Sequence, residues 1–184
     1  LEPVRIATAA AKPTPVAPSK GAPALVVNPP RAAAGFDSQR ILYVREPYQL
    51  EYFAHSEWVD PPARMLAPLI VAALENSGTF RSVMLAPTAA AGDLRLDTEL
   101  VRLQQDFATQ PSHVHFTLRA HLVDNATRRV LAWRVFDASV AAATDDPYGG
   151  VVAANRAVQA VLEQLAGFCA TAAAQWQPST PVLP

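Results

Sequence analysis

The sequence predicts an α+β domain: an antiparallel sheet of about four to six strands packed by a kinked helix over residues 61–77 and a long C-terminal helix over 150–176. Three features carry that prediction. His113 to Asp124 alternates without a break, with Val114, Phe116, Leu118, Ala120 and Leu122 on one side and His113, His115, Thr117, Arg119 and His121 on the other. A period of two marks a strand with one buried face. Residues 150–176 hold an apolar stripe at helical spacing, made of Val151, Ala154, Val158, Val161, Leu162, Leu165, Phe168, Cys169, Ala172 and Trp176. Asp60-Pro61-Pro62 opens a second apolar stripe, Met65, Leu66, Leu69, Ile70, Ala73 and Leu74.

The elements follow in order. Residues 1–23 are rich in Ala and Pro, and the run Lys12 to Lys20 holds three prolines. Proline fixes φ and removes donors, so this stretch is expected to be a flexible, extended tether. At ~3.1 Å per residue, about twenty residues reach on the order of 60 Å. Val4-Arg5-Ile6 is either an edge strand or no element. Ala24 to Asn28 reads as a short strand stopped by Pro29-Pro30. Arg40 to Arg45 and Leu50 to Phe53 read as a hairpin around Glu46-Pro47.

In the first helix Asp60 is expected to cap the free N–H groups and Pro61 to sit at the first helical position. Pro68 should kink it, and Gly78 should end it in the left-handed region. Phe80 to Leu85 is the next strand. From Asp93 to Phe107, Leu94, Leu96 and Leu100 alternate with Arg95, Asp97 and Glu99, then the phase slips to Val101 and Leu103, which predicts a bulge. Val130 to Val140 reads as a strand with Leu131, Trp133 and Val135 on one face. The three long strands should form a meander, one face covered by helices and the other more polar. The last helix is ~40 Å long, so its alanine-rich end, residues 170–174, is expected to project or to meet another subunit. Residues 177–184 read as a disordered tail, which leaves 24–176 as one α/β domain.

Composition excludes several function classes. The formal net charge is -1 and the basic residues are scattered, which gives no nucleic-acid footprint. No apolar run reaches the ~20 residues that span a bilayer; Met65 to Leu74 is the longest and contains Pro68. The chain begins at Leu1 rather than Met, so any signal peptide or lipidated cysteine would lie upstream of it. The one cysteine, Cys169, lies in the helical stripe with no Lys, Arg or His within ten positions, and reads as a small buried hydrophobe.

Catalytic and cofactor signatures are missing. Seven glycines form no phosphate-cradling loop, and there is no HExxH, CxxC or GxSxG. His113 and His115 share a strand face about 7 Å apart, but His121 is roughly 20 Å further along, so the three cannot hold one ion. No metal site and no cofactor are expected. Asp145-Asp146 read as loop residues and a helix cap, and no buried acid pairs with a base. The aromatic group Tyr43, Tyr48, Tyr52 and Trp58, with Phe53 beside it, is the candidate partner-binding surface, because aromatics anchor interfaces. Against this stands a core role beneath the first helix for most of them. Alternation sends Tyr52 and Phe53 to opposite faces, so at least one should be exposed.

The order of the parts carries a family resemblance. Arg40-Ile41-Leu42-Tyr43 is followed by Leu50-Glu51-Tyr52-Phe53, then Trp58-Val59-Asp60-Pro61-Pro62 through Pro68-Leu69, then Ala73 to Val83, then Asp93 to Leu100, then a strand ending Leu122-Val123-Asp124. Over residues 24–176 the chain resembles the ABC-type transport auxiliary lipoproteins, of the paraquat-inducible protein C type. The Trp-x-x-Pro-Pro helix start with its internal Pro68 is the most specific part. The resemblance implies a non-catalytic periplasmic lipoprotein, anchored in the outer membrane by an upstream lipid. It implies work beside a mammalian-cell-entry (MCE) domain protein in a system that moves lipids between membranes, with homo-oligomerisation possible. Two alternatives stand beside it: a carrier that holds an acyl chain in its own cavity, and a small hydrolase.

Overall fold

A computed structural model of the chain describes residues 2–7 and 21–178; the Pro-rich run from Lys12 to Lys20 and the tail from residue 179 onward lie outside them. The spine of the fold is the strand Leu94–Asp106 (β7). Along one side it pairs antiparallel with His113–Asp124 (β8), which pairs antiparallel with Val130–Ala141 (β9). Along its other side lie three short strands end to end, all parallel to it: Ala24–Val27 (β2), Arg31–Ala32 (β3) and Arg40–Val44 (β4). Ser82–Leu85 (β6) adds parallel outside β2. Leu50–Trp58 (β5) adds antiparallel outside β4, and Glu2–Val4 (β1) adds parallel outside β5.

The long meander is present as expected, but among the described residues the sheet has nine strands and is mixed rather than antiparallel. The reason is legible in β2. All four of its residues are buried, the continuous apolar run of a parallel strand covered on both faces. The phase slip after Leu100 is a real irregularity: the register to β8 shifts between Leu100 and Arg102.

Pro62–Asn76 (α1) and Pro147–Ala174 (α2) cover one face of the sheet. Leu66, Ile70 and Leu74 of α1 and Val158, Val161 and Leu165 of α2 are fully buried. They share one core with Leu96, Leu100, Phe116, Leu118, Leu122 and Phe136 of the sheet. Each such side chain contributes ~1.5–3 kcal/mol by leaving water. Pro68 lies inside α1, where it removes one intrahelical donor. Gly78 follows the helix at φ +64°, the left-handed region where the missing Cβ matters.

Four expectations are corrected. Residues 2–7 are not part of a free tether, because Glu2–Val4 pairs with Leu50–Trp58 and Ile6 is buried in the core. Asp60 does not cap α1; the capping position is Pro61, which offers no side-chain acceptor, and Asp60 instead pairs with Arg64 at 3.4 Å on the surface. Nor do Leu131, Trp133 and Val135 share one face. The register of β8 to β9 shifts beside Leu131, so Leu131 packs against the core while Trp133 and Val135 are exposed; Phe136 is the buried residue of β9. Finally, the end of α2 does not project: Ala173 is buried. The helix runs along β8 rather than across the sheet. Its first turn sets Gly150 against Gln105, and Trp176, two residues past its last turn, is bonded to Asp124. A helix of 28 residues is ~42 Å long and a strand of 12 is ~40 Å, so the two match.

Counted by length and composition alone, α2 would cross a bilayer. The alanines that give it this character sit on the sheet: Ala153, Ala154 and Ala157 are buried at its near face. Its start is capped as expected, with Asp146 Oδ1 accepting from Gly149 N at 2.7 Å.

Candidate partner-binding surfaces

Both helices lie on one face, so the other face of the β7–β8–β9 meander meets solvent. Register places its side chains in rows across three strands. Glu99 of β7 faces Arg119 of β8, and Arg119 Nη1 donates to Glu99 Oε2 at 2.8 Å. In the next row Arg102 Nη2 reaches Asp137 Oδ1 at 3.1 Å, while Thr117 Oγ1 donates to the same oxygen at 2.6 Å. The bond from Thr117 and then the Arg102 guanidinium hold the Asp137 carboxyl below its ordinary range. Burial, with Arg102 adding to it, lowers the His115 pKa. This face is a half-buried lattice of matched charges, and the histidines belong to it. His115 Nε2 lies 3.9 Å from Asp106 Oδ2, and His113 Nδ1 is within 3.2 Å of Thr109 Oγ1. No group of three His, Cys, Asp or Glu side chains among the described residues is placed to hold a metal.

The four aromatic residues singled out from the sequence divide into two pairs. Trp58 is a core residue beside Ile41, 3% exposed. Tyr43 is also buried. Its ring packs on Phe53 at 4.5 Å with a tilt of 40° and meets Phe107 edge-on at 5.8 Å, while its hydroxyl donates to Glu51 Oε2 at 2.9 Å. That hydrogen bond raises the Tyr43 pKa. Tyr48 and Tyr52 are exposed, and Leu50 between them, which the sequence reading passed over, is 46% exposed. Leu50 and Tyr52 fall at a spacing of two within β5 and so share one side of the strand, and Tyr48 stands in the turn just before it. Tyr48 sits in the β4–β5 turn at φ 69°, where a non-glycine residue costs ~1–2 kcal/mol. The Arg40 guanidinium lies 4.0 Å from the Tyr52 ring centroid and holds that ring against the strand.

Two of the three residues that the sequence reading places together on one face of β9, Trp133 and Val135, are exposed apolar side chains. Trp133 is 64% exposed and stacks on His121 at 6.2 Å, with Val135 beside it on β9. The sequence signal existed in the alternation of β9. The irregularity at Leu131 reversed its phase, and no local residue announces that shift.

Interior space is small. A cavity of about 10 Å³ lies among Ile41, Trp58, Leu103, Val114 and Ala154. That is room for about one water, against the 300–1,000 Å³ of ligand pockets. A larger groove of about 260 Å³ is open at the surface, between the start of β9 and the last turns of α2. At the other end of α2 a polar knot joins the layers: Gln105 Nε2 donates to Ser112 Oγ at 2.8 Å, and Asp145 Oδ1 accepts from Ser112 N at 2.7 Å. The latter bond holds the Asp145 carboxyl below its usual value.

The fold is a two-layer α+β domain with a polar open sheet face and exposed aromatic side chains at the β4–β5 turn, on β5 and on β9. Residues 6–166 match the profile of the family described as ABC-type transport auxiliary lipoprotein component, and the chain belongs to that family. It is similar to the crystal structure of a DUF330 protein from Xanthomonas campestris, at 25% identity and a TM-score of 0.81, covering 95% of this chain and 98% of that one. It shares its fold with a hypothetical protein of Chlamydia trachomatis at 9% identity and a TM-score of 0.57, covering 82% of this chain and 96% of the other. An uncharacterised protein gives a TM-score of 0.67 at 14% identity, covering 91% and 99%. No curated protein matches the chain. Family membership makes it an auxiliary, envelope-associated lipoprotein of an ABC transport system.

Proposed function

We propose that this protein is a non-catalytic periplasmic accessory lipoprotein of an MCE-type ABC system that moves lipids between membranes. It works by binding the MCE-domain subunit. An upstream lipid holds it to the outer membrane, and the domain it carries includes Glu2–Val4, which pairs with β5, and Ile6, which is buried in the core, so residues 1–23 are not a free tether. The observation that carries this reading is the exposed strip Tyr48, Leu50 and Tyr52, displayed from a strained turn in a member of a transport auxiliary family. Large aromatics in water, one of them held at a backbone cost, fit a contact surface. Tyr43 and Trp58 then act as its support, since their burial fixes the hairpin that presents the strip.

The carrier reading asks for enclosed apolar space of acyl-chain size; the apolar pocket beside Trp58 is only about 10 Å³, and the larger grooves of about 260 and 370 Å³ have mixed or polar linings at the surface. The test is recovery of the MCE-domain subunit with the lipidated protein from detergent-solubilised envelopes. The variant Tyr48→Asn/Leu50→Ser/Tyr52→Ser should fold normally, because Asn tolerates the left-handed turn and all three side chains are exposed. Its recovery of the subunit should fall at least tenfold. Undiminished recovery would remove the strip from the proposal.

A further inference from the structure

At the opposite end of the sheet from that strip, β9 is an edge strand of 12 residues. Among the described residues its only strand partner is β8, and no backbone hydrogen bond reaches Val130–Ala141 from the other side. Such an edge is a row of unused donors and acceptors that another extended chain can pair with. From β5 to β9 there are four strand steps, roughly 19 Å, so the two surfaces are separate.

The edge has two further properties. It is apolar where strands meet partners: Val130, Trp133 and Val135 are all exposed. The open groove of about 260 Å³ beside its first residues is floored by Leu131, Phe168 and Trp176 and can seat one large side chain. It is also cationic. Arg128, Arg129 and Arg134 are exposed, and none of them forms an ion pair among the described residues. The acid on β9, Asp137, is already held by Arg102 and Thr117. Arg134 lies over the Phe136 ring at 5.1 Å and so is fixed along the strand.

We infer that the β9 edge takes up an extended, acidic segment of a partner protein by strand addition, its carboxylates meeting Arg128, Arg129 and Arg134 and an apolar side chain entering the groove beside Trp176. A second copy of this chain is a poor occupant, because it brings the same three cations to the shared edge. A membrane surface answers the charge but leaves the backbone row unpaired. An acidic strand satisfies charge, backbone and groove together.

The probe is a labelled ten-residue peptide of alternating valine and glutamate, titrated into the chain and read by fluorescence anisotropy and by amide hydrogen exchange over residues 130–141. Binding should protect those amides and weaken as salt rises. Arg129→Glu and Arg134→Glu should each weaken it at least tenfold, with Arg134→Lys keeping most of it. N-methylation of alternate peptide bonds should abolish it. Equal binding by a valine–lysine peptide, or by the N-methylated one, overturns the inference. So does protection of β9 by the chain's own dimerisation. Arginine-dependent co-sedimentation with phosphatidylglycerol vesicles, with no peptide binding, overturns it in favour of a membrane. Subunit recovery through Tyr48, Leu50 and Tyr52 is a separate measurement, so either idea can fail alone.

Discussion

Trp176 donates its indole N–H to Asp124 Oδ2 at 2.8 Å, a bond between residues 52 apart in the chain. Asp124 is buried at the end of β8, and its other oxygen accepts from Thr127 N at 2.8 Å within the turn to β9. One carboxylate therefore shapes the turn and ties down the end of α2. The bond from Thr127 first, and the indole after it, hold its pKa below the ordinary 3.8.

Trp176→Phe should cost about 1.5–3 kcal/mol in urea unfolding near neutral pH, the range for a hydrogen bond to a charged group. The pH dependence has a definite sign. A carboxyl with a depressed native pKa stabilises the fold fully above its unfolded value, and that contribution fades as pH falls through the native value. The gap between wild type and Trp176→Phe should therefore be widest above pH 5 and should narrow in acid. A gap that is flat with pH would mean the indole acts by packing alone.

The start of α2 is equally constrained, by close approach. A Cβ at Gly149 would lie 2.1 Å from the Thr144 carbonyl oxygen, and one at Gly150 would lie 2.2 Å from Gln105 Oε1. The first obstacle is backbone; the second is a side chain held by Ser112. Gly149→Ala should destabilise by about 3 kcal/mol or more and Gly150→Ala by about 1–3 kcal/mol. Gly167, exposed in the same helix, has nothing within 4 Å of its Cβ position. Gly167→Ala should raise stability by about 0.4–1 kcal/mol. Thermal melts of the three variants give the order directly.

Burial pushes the Cys169 thiol from 9.0 up to about 12. A thiolate is the reactive form, so the native protein should resist thiol reagents at pH 8 and react at a rate that rises with denaturant. The same shift makes stability complete below the unfolded pKa of 9.0 and declining as pH rises above it. Fast stoichiometric labelling in buffer, unchanged by 2 M urea, would contradict burial in the working state.

Local pattern made β8, the bulge in β7, Asp146 and the stripe of α2 legible, because each depends on residues within a few positions. What stayed hidden depends on pairing at long range. Glu2–Val4 and Arg31–Ala32 are too short to show a period, and they become strands only because β5 and β7 offer them an edge. Trp58 and Tyr52 look alike in composition. Their fates diverge because Trp58 meets the core beside α1 and α2, while Tyr52 faces solvent beneath Arg40. Sequence named the aromatic group but could not divide it. The cations of the β9 edge were read as scattered, since Arg134 joins Arg128 and Arg129 only once the strand is laid out.

Thr98 gives the sharpest test of the core. It is 4% exposed on β7, in the buried row with Leu96 and Leu100, and its hydroxyl has no hydrogen-bond partner. Across the strand it faces Ala120, which offers no polar side chain. A buried hydroxyl without a partner costs about 1–3 kcal/mol relative to water. Valine has nearly the same shape and nothing to leave unsatisfied, and it is a good strand former. Thr98→Val should therefore raise stability by about 1 kcal/mol, read as a higher urea midpoint with an unchanged slope. Thr98→Ser keeps the hydroxyl and removes the methyl, and should lower stability by about 1 kcal/mol. If Thr98→Val were the less stable of the two, the hydroxyl would have to be held by a buried water, and the interior of the sheet would not be dry at β7.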